Sequence, residues 1–400
     1  MEHKARPGFI RRTLSGIWRA LDRIRQASLN LIFLAVVAFL VAGWLASRPA
    51  PLPPDAALLI APKGQLVEQR SVKSPMSLLQ GGEGTHQVLL RDVVDAIRGA
   101  ATDSRIKALV IETDGLAGAG LPKLQEIAAA VAEFRKTGKK VYAHGKNFNQ
   151  VQYHLAAQGD EVFVSPDGYV FLSGFGRFPT YYKGLFEQIG VKMQIFRVGT
   201  YKSFVEPYTR DNMSDEAREA NSRWLNQLWQ AYVKDAAEAR KIAADAINPN
   251  KEQLLQRLKA AQGNAATYAL QQKLVDKLAT RDQQVELIAK FAGKADDDVG
   301  YRHVSLRDYL RHQPDRYADQ HKPRIGLIVA AGTIQNGDQP PGTIGGESLS
   351  RLLRSVVHDD SIKALVLRID SPGGSAFAAE QIRTELLAIQ AAGKPVVVSM

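Results

Sequence analysis

Residues Ile362–Ser375 read IKALVLRIDSPGGS, and residues Ile106–Ala119 read IKALVIETDGLAGA. Each stretch is followed by a helical pattern and then by a second short apolar run. These runs are GKKVYAH at Gly138–His144 and GKPVVVS at Gly393–Ser399, and a single one-residue gap aligns the two copies. A strand, a loop, a helix and a strand repeated in this order predict a duplicated α/β domain.

The two copies differ in the loop that follows the first strand. After Asp370 the second copy has Ser371-Pro-Gly-Gly-Ser375, whereas the first copy has GLAGA after Asp114. Glycines allow the backbone to approach a ligand closely, and the following helix adds the positive end of its dipole. The loop with Gly373 and Gly374 is therefore a candidate ligand-binding loop. The alternative is a tight strand-to-helix turn that needs glycine for its φ angles.

Length and composition are those of a globular protein. The 400 residues, 45% hydrophobic and 23% charged, suffice for two ordinary domains with their own cores. The absence of cysteine excludes disulfides, thiolate catalysis and Cys-ligated zinc. The eight histidines show no spacing suited to a metal, so we expect neither a metal nor a cofactor.

The net charge of +11 is concentrated at the N-terminus. Residues 1–28 carry seven Lys or Arg and two acidic residues, and the rest is mildly basic without a basic stripe interleaved with aromatic residues. This distribution argues against a nucleic-acid partner. It indicates instead a basic cytoplasmic segment over residues 1–28.

An uncharged apolar stretch follows the basic segment. Residues 26–47 contain no formal charge, and at 1.5 Å per residue the core at 31–46 spans roughly 25 Å, enough for a bilayer. We expect a transmembrane anchor over residues 29–47, with the N-terminus in the cytoplasm and the chain after Arg48 outside. A cleaved signal peptide and a buried core helix are the alternatives.

The remaining chain divides into three predicted parts: a first domain over residues 48–244, a helical connector over 245–322 and a second domain over 323–400. Within the first domain, Lys192–Val198 alternates like a strand. A long helix is expected to begin near Ser214, which suits an N-cap. The apolar face of this helix is interpreted as core packing; its residues are Trp224, Leu225, Leu228, Trp229, Tyr232 and Val233.

Lys202 is the candidate for chemistry in the first domain. It lies in RVGTYKSFVEPYTR at Arg197–Arg210, where Tyr201, Phe204 and Val205 could withdraw it partly from water. A lysine that serves as a general base must be neutral, which requires an apolar and rigid setting. A surface lysine is the alternative. Ser203 does not serve as its partner, because adjacent side chains in an extended segment diverge.

The whole chain resembles the S49 peptidases, the family of the signal peptide peptidases, in their long form. The most specific segments are Arg197–Arg210, Lys363–Ser375 and Gly393–Met400. The resemblance implies a Ser-Lys dyad protease on duplicated crotonase/Clp-protease-like domains behind an N-terminal transmembrane helix. It also implies that Lys202 is the general base and that Gly373 and Gly374 lie in the oxyanion loop.

The family's nucleophilic serine is expected beyond Met400, so we interpret the chain as a truncated form that is inactive by itself. The resemblance further implies a homo-oligomer in the bacterial inner membrane, with a periplasmic catalytic part that degrades remnant signal peptides. Two alternatives remain. One is a catalytically inactive membrane-anchored scaffold of the same fold, and the other is a crotonase-type acyl-CoA enzyme, in which Lys202 would have no role.

Overall fold

The computed structural model describes residues 9–46, 51–71, 86–313 and 322–400. The chain divides after Pro51 into two compact units. The expected boundary between the predicted anchor and the first predicted domain, at residues 47 and 48, falls outside the described residues, as do residues 314–321 of the predicted connector.

The first unit contains helix α1, Phe9–Ala46, which extends from the basic segment through the predicted anchor. Its stretch Arg25–Gly43 has a mean hydropathy of 2.0. By length and composition this helix is able to cross a membrane, a property that N-terminal signal sequences share.

The second unit is a mixed α/β structure built on parallel strands. Its helices are α2 Leu90–Thr102, α3 Leu121–Arg135, α4 Gln150–Ala156, α5 Lys183–Gln188, α6 Glu206–Thr209, α7 Asp215–Arg240, α8 Ala244–Ile247, α9 Lys251–Ala260, α10 Ala265–Gln271, α11 Arg281–Ala292, α12 Leu306–Arg311, α13 Gly346–His358 and α14 Ala376–Ala391. Its strands are β1 Ala56–Ile60, β2 Gly64–Val67, β3 Gln87–Leu89, β4 Ile106–Glu112, β5 Leu116–Gly118, β6 Lys140–Gly145, β7 Phe148–Asn149, β8 Glu161–Val164, β9 Val170–Phe171, β10 Lys277–Leu278, β11 His303–Ser305, β12 Arg324–Ala331, β13 Ile334–Gln335, β14 Ile344–Gly345, β15 Ile362–Asp370 and β16 Val396–Ser399.

The first half of this unit, residues 52–313, is organised around a parallel sheet with strand order β10-β8-β6-β4-β1-β11. Both faces of the sheet are buried. Leu58 and Leu109 lie in the core beneath α2, α3 and α4, whereas Leu59 and Val110 pack with Ile288 of α11 on the opposite face. Successive residues of a strand point to opposite faces, so a sheet that is covered twice needs strands that are apolar throughout.

The segment expected as a connector, residues 245–322, is integrated into this first half where it is described. Strands β10 and β11 form the two edges of the sheet, and α11 covers one of its faces. The strands are only two and three residues long, and polar helices surround them. Strands this short leave no periodicity that the sequence could reveal.

The second half, residues 322–400, contains a parallel sheet with strand order β12-β15-β16. One face packs on α13 and α14 through residues such as Ile328, Leu365 and Leu353. The opposite face carries exposed apolar side chains, among them Ile325, Leu327 and Val397. Ala57 and Ile325 occupy equivalent positions in the two halves. Ala57 pairs with Ala108 and Ile325 pairs with Ala364, and these two alanines match in the repeated sequence. The same face is therefore buried in one half and exposed in the other.

Helix α7 begins where the sequence predicts. Ser214 is the N-cap, and its Oγ accepts a hydrogen bond from the Ala217 N–H at 3.1 Å. The expected core face is confirmed for Tyr232 and Val233, which are buried. It is wrong for Trp224, which is exposed, whereas Leu225, Leu228 and Trp229 are half-buried.

Candidate functional site

Lys202 lies in an irregular segment between α5 and α6. The strand predicted over Lys192–Val198 is wrong, since these residues form no regular structure. An alternating pattern becomes a strand only where a neighbouring strand pairs with it, and none is present here among the described residues. The turn that carries Lys202 is closed by a backbone hydrogen bond of 3.4 Å from the Lys202 N–H to the Gly199 carbonyl.

The side chain of Lys202 is exposed. The expected partial withdrawal from water is therefore not observed, because Tyr201 and Phe204 also point into solvent. The alkyl stem of Lys202 runs over Gly199, which has no side chain to occupy this space and adopts a positive φ of 104°. Neighbours in sequence cannot enclose a lysine by themselves; a second surface has to close over them.

The segment is nevertheless attached firmly to the fold through Glu206. This buried carboxylate accepts hydrogen bonds from the Ser214 hydroxyl and from the Ser214 N–H, the latter at 3.2 Å. Arg197 lies 3.8 Å from the same carboxylate and donates a hydrogen bond of 3.1 Å to the Lys202 carbonyl. The backbone of Lys202 is thus connected through Arg197 and Glu206 to the N-terminus of α7.

Large apolar side chains of this region are exposed. Phe178 and Phe196 are each 94% exposed, and Phe204 is 82% exposed. Monomeric proteins rarely expose apolar patches of this extent unless the patch contacts a partner, a membrane or a ligand. We refer to residues 171–204, which contain these side chains, as the apolar segment.

The glycine loop, Ser371–Ser375, connects β15 to α14. The Gly373 N–H donates to the Ser371 hydroxyl at 3.1 Å, and the Ser375 hydroxyl accepts from the Ala378 N–H at 3.3 Å as the N-cap of α14. Gly373 has a φ of 108°, a region that favours glycine. The predicted strand-to-helix turn is therefore present at the predicted position.

Gly374 is fixed by a close approach to β13. The Ile334 N–H donates to the Gly373 carbonyl at 3.0 Å, and the Ser375 N–H donates to the Ile334 carbonyl at 2.9 Å. A Cβ atom at Gly374 would lie 2.0 Å from the Ile334 carbonyl oxygen, so no side chain fits at this position. Since both bonds of this parallel bridge involve the flanking residues, the N–H of Gly374 points away from Ile334. It lies just before the N-terminus of α14, where an anion is favoured.

The structure does not join the two candidate elements directly. Among the described residues, no hydrogen bond or ion pair connects Lys202 with Gly373 or Gly374. Asp370, the last residue of β15 before the loop, is contacted instead by Lys123 of α3, whose Nζ lies 3.4 Å from its Oδ2. Lys123 is not among the candidate residues that the sequence suggests. The one signal available was its position in the first turn of a helix, where a positive charge is unfavourable.

His144 occupies in the first half the position that Ser399 occupies in the second. Arg368 donates a hydrogen bond of 2.8 Å to the Ser399 hydroxyl, and in the first half Nε2 of His144 lies 3.6 Å from Glu112. His144 is buried, and burial is the main cause that lowers its pKa from 6.5 to about 4, with Arg281 adding to the effect. The described residues contain no group of three acidic or histidine side chains able to hold a metal.

The lowered pKa of His144 predicts a loss of stability in mild acid. Its pKa is about 4 in the folded chain and 6.5 in the unfolded chain, so between these values only the unfolded chain binds the proton. We expect the free energy of unfolding to fall by up to about 3 kcal/mol as the pH decreases from 6.5 towards 4.

Denaturant titrations across this pH range test the prediction. His144→Gln should show a smaller slope, and a residual slope is expected from buried His154, whose pKa is also lowered by burial. Equal slopes for the variant and the parent chain would contradict the assignment.

The comparisons with known proteins point to one family. The profile of peptidase family S49 matches residues 133–294. Protease 4 of Salmonella typhi is 38% identical over 392 residues, which cover 96% of this chain and 63% of that protein. Protease 4 of Haemophilus influenzae is 38% identical over 392 residues, which cover 96% of this chain and 64% of that protein. The chloroplastic serine protease SPPA of Arabidopsis thaliana is 27% identical over 313 residues, which cover 75% of this chain and 44% of that protein.

The two Protease 4 alignments extend over nearly the whole chain. The chain spans less than two thirds of the length of the Protease 4 relatives that it matches. The profile match shows that this chain contains a peptidase family S49 domain, and the identity to the two Protease 4 sequences extends this similarity along most of the chain.

Proposed function

We propose that this chain supplies the general base and the oxyanion loop of a Ser-Lys dyad endopeptidase. The observation that carries the proposal is the geometry of the glycine loop in a chain that contains an S49 domain. The Gly374 N–H faces away from Ile334 at the N-terminus of α14, where it can donate to a developing oxyanion. Its close packing on Ile334 holds the donor in place before the reaction starts.

The proposed reaction is acyl transfer through a serine. The serine Oγ attacks the peptide carbonyl carbon while neutral Lys202 takes the hydroxyl proton, and the carbonyl oxygen becomes an oxyanion that accepts hydrogen bonds from the glycine loop. Collapse of this intermediate transfers the proton to the leaving amine and leaves an acyl-enzyme, which water hydrolyses. We place the serine beyond Met400, since the Protease 4 relatives contain sequence that this chain does not match.

The exposed position of Lys202 supports an assembly in which another surface covers it. A base needs an apolar environment to be neutral, and Lys202 belongs to a segment whose apolar side chains, such as Phe196 and Phe204, are exposed. We propose that the apolar segment packs against another copy of the chain in a homo-oligomer. Such contact would bury the aromatic side chains and withdraw Lys202 from water in one step.

We further propose that α1 anchors the protein in the bacterial inner membrane, with its basic N-terminus in the cytoplasm and the catalytic part in the periplasm. The apolar stretch Arg25–Gly43 and the basic residues that precede it support this topology. A protease held at the membrane surface can reach signal peptides that remain in the bilayer after cleavage. Remnant signal peptides are therefore the proposed substrates.

The proposed architecture is a pair of duplicated crotonase-like halves. The parallel orders β1-β4-β6 and β12-β15-β16 support it, since β4-β6 and β15-β16 come from the two copies of the repeated sequence, and β1 and β12 pair in the same register with β4 and β15. In this arrangement the first half contributes Lys202 and the second half contributes Gly373 and Gly374. The site is then complete only when both halves are folded and docked.

The full-length protein tests the proposal directly. We expect it to hydrolyse an apolar signal peptide and to form a covalent adduct with a serine-reactive phosphonate. Mass spectrometry should locate the adduct on a single serine that follows Met400. A folded full-length protein that neither cleaves peptides nor forms the adduct would refute the peptidase proposal and favour the inactive scaffold.

A further inference from the structure

Two ion pairs connect the second half to the first at the end of β15, where the glycine loop begins. Lys123 Nζ lies 3.4 Å from Asp370 Oδ2, and Arg368 Nε lies 3.3 Å from Glu68 Oε1. Arg368 and Asp370 are two residues apart on one strand, so they project from the same face of the sheet. The first half supplies the positive charge of one pair and the negative charge of the other. Exchanging the partners would therefore place Lys123 against Arg368 and Glu68 against Asp370.

Lys123 is unusual for a lysine in a helix. It lies in the first turn of α3, where the helix dipole opposes a positive charge, and its side chain is only 14% exposed. Lysines with a purely solvating role extend into water, whereas this one is largely withdrawn from it. The carboxylate of Asp370, 62% exposed, is the partner that offsets these two costs.

The charged residue at the end of β15 differs from its counterpart in the first half in where its partner comes from. Arg368 aligns with Glu112, since they pair across their sheets with Ser399 and His144. Glu112 is matched by Arg281 at 3.5 Å, from α11 of the same half. In the second half, the residue that pairs with Arg368 is Glu68, which belongs to the first half. The loop end of β15 is therefore completed by residues of the first half.

The backbone of Asp370 leads directly into the glycine loop, so the position of Asp370 affects the position of the loop. Its carbonyl accepts a hydrogen bond of 2.9 Å from the Gly332 N–H, and Ser371 directly after it accepts the Gly373 N–H. Only three residues separate Asp370 from Gly374. A shift at Asp370 is therefore passed to the oxyanion donors, whose alignment determines how well they bind the transition state.

We infer that Lys123 is a positioning residue that holds the oxyanion loop through Asp370. Its effect on catalysis rests on the proposed peptidase function, but its effect on the loop does not. The first half would thus contribute two lysines with separate tasks. Lys202 would transfer the proton, and Lys123 would keep the loop of the second half in register.

The test compares Lys123→Met with a matched control in the full-length protein. Lys107→Met is that control, because Lys107 pairs with Asp55 at 3.3 Å away from the loop. We expect Lys123→Met to raise hydrogen exchange at the amides of residues 370–376 about fivefold, the size typical of losing one partly exposed ion pair. We expect kcat to fall by about fivefold or more with KM nearly unchanged, because the loop acts in the transition state. Lys107→Met should change neither quantity.

Two further variants separate positioning from a general loss of structure. Lys123→Arg should retain slow exchange and most of kcat, and the charge exchange Lys123→Asp with Asp370→Lys should restore part of what either single change removes. Unchanged exchange in Lys123→Met would overturn the inference. Faster exchange in a protein without peptidase activity would support the positioning role and refute the proposed function instead.

Discussion

Replacing Lys202 by alanine in the full-length protein is expected to abolish peptide hydrolysis while the fold remains intact. Without a base the serine hydroxyl stays protonated, and loss of a general base in such a unit lowers kcat by roughly 10⁴-fold or more. Lys202→Arg should be equally inactive, because a guanidinium keeps its proton. The measurement is kcat for cleavage of an apolar signal peptide.

The adjacent residue provides the control. Ser203→Ala removes a hydroxyl next to Lys202 and should leave kcat within about twofold, since the hydrogen bonds described for Lys202 and Ser203 involve only their backbone groups. Circular dichroism should show native structure in Lys202→Ala and Lys202→Arg, because the exposed Lys202 side chain contributes little to packing. Activity in either Lys202 variant would exclude this residue from the mechanism.

Gly374→Ala is expected to have the second largest effect. The new methyl group would lie 2.0 Å from the Ile334 carbonyl oxygen, so the loop has to move away from β13. The movement displaces the Gly374 N–H, and loss of one oxyanion donor lowers kcat by roughly 10²- to 10³-fold. Steady-state kinetics on the full-length protein should show this loss with little change in KM.

Gly393→Ala separates the donor effect from ordinary backbone strain. Gly393 has a φ of 76° and open space around it, at the other end of α14. Alanine there should lower the free energy of unfolding by about 1–2 kcal/mol and leave kcat unchanged. If Gly374→Ala lowers kcat no more than Gly393→Ala does, Gly374 has no role in the oxyanion site.

The local features of the candidate site were predictable from the sequence. The repeated IKALV strands, the loop at Ser371–Ser375 and the cap at Ser214 all lie where the pattern places them. Each depends on interactions within a few residues of the chain. A glycine pair before a helix and a serine at a helix start carry their physical reason in the residues themselves.

Features that depend on a distant partner were not predictable. The pattern over Lys192–Val198 satisfies the period of a strand, but none of the strands in the described part of the chain pairs with it. Tyr201 and Phe204 flank Lys202 as an apolar setting would require, yet the structure leaves them in solvent. Periodicity and composition describe what a segment is able to bury, whereas burial itself requires an opposing surface.

The sequence by itself determined the resemblance to the S49 peptidases, the α/β class with parallel strands and the positions of Lys202 and the glycine loop. Only the tertiary structure decided that α11 covers one face of the first sheet, while Ile325 and Leu327 remain exposed on the matching face of the second. It alone revealed the ion pair between Lys123 and Asp370. The physical reason is range: turns, caps and strand periods are set by neighbours in sequence, whereas burial and ion pairing depend on which surfaces meet after the chain has folded.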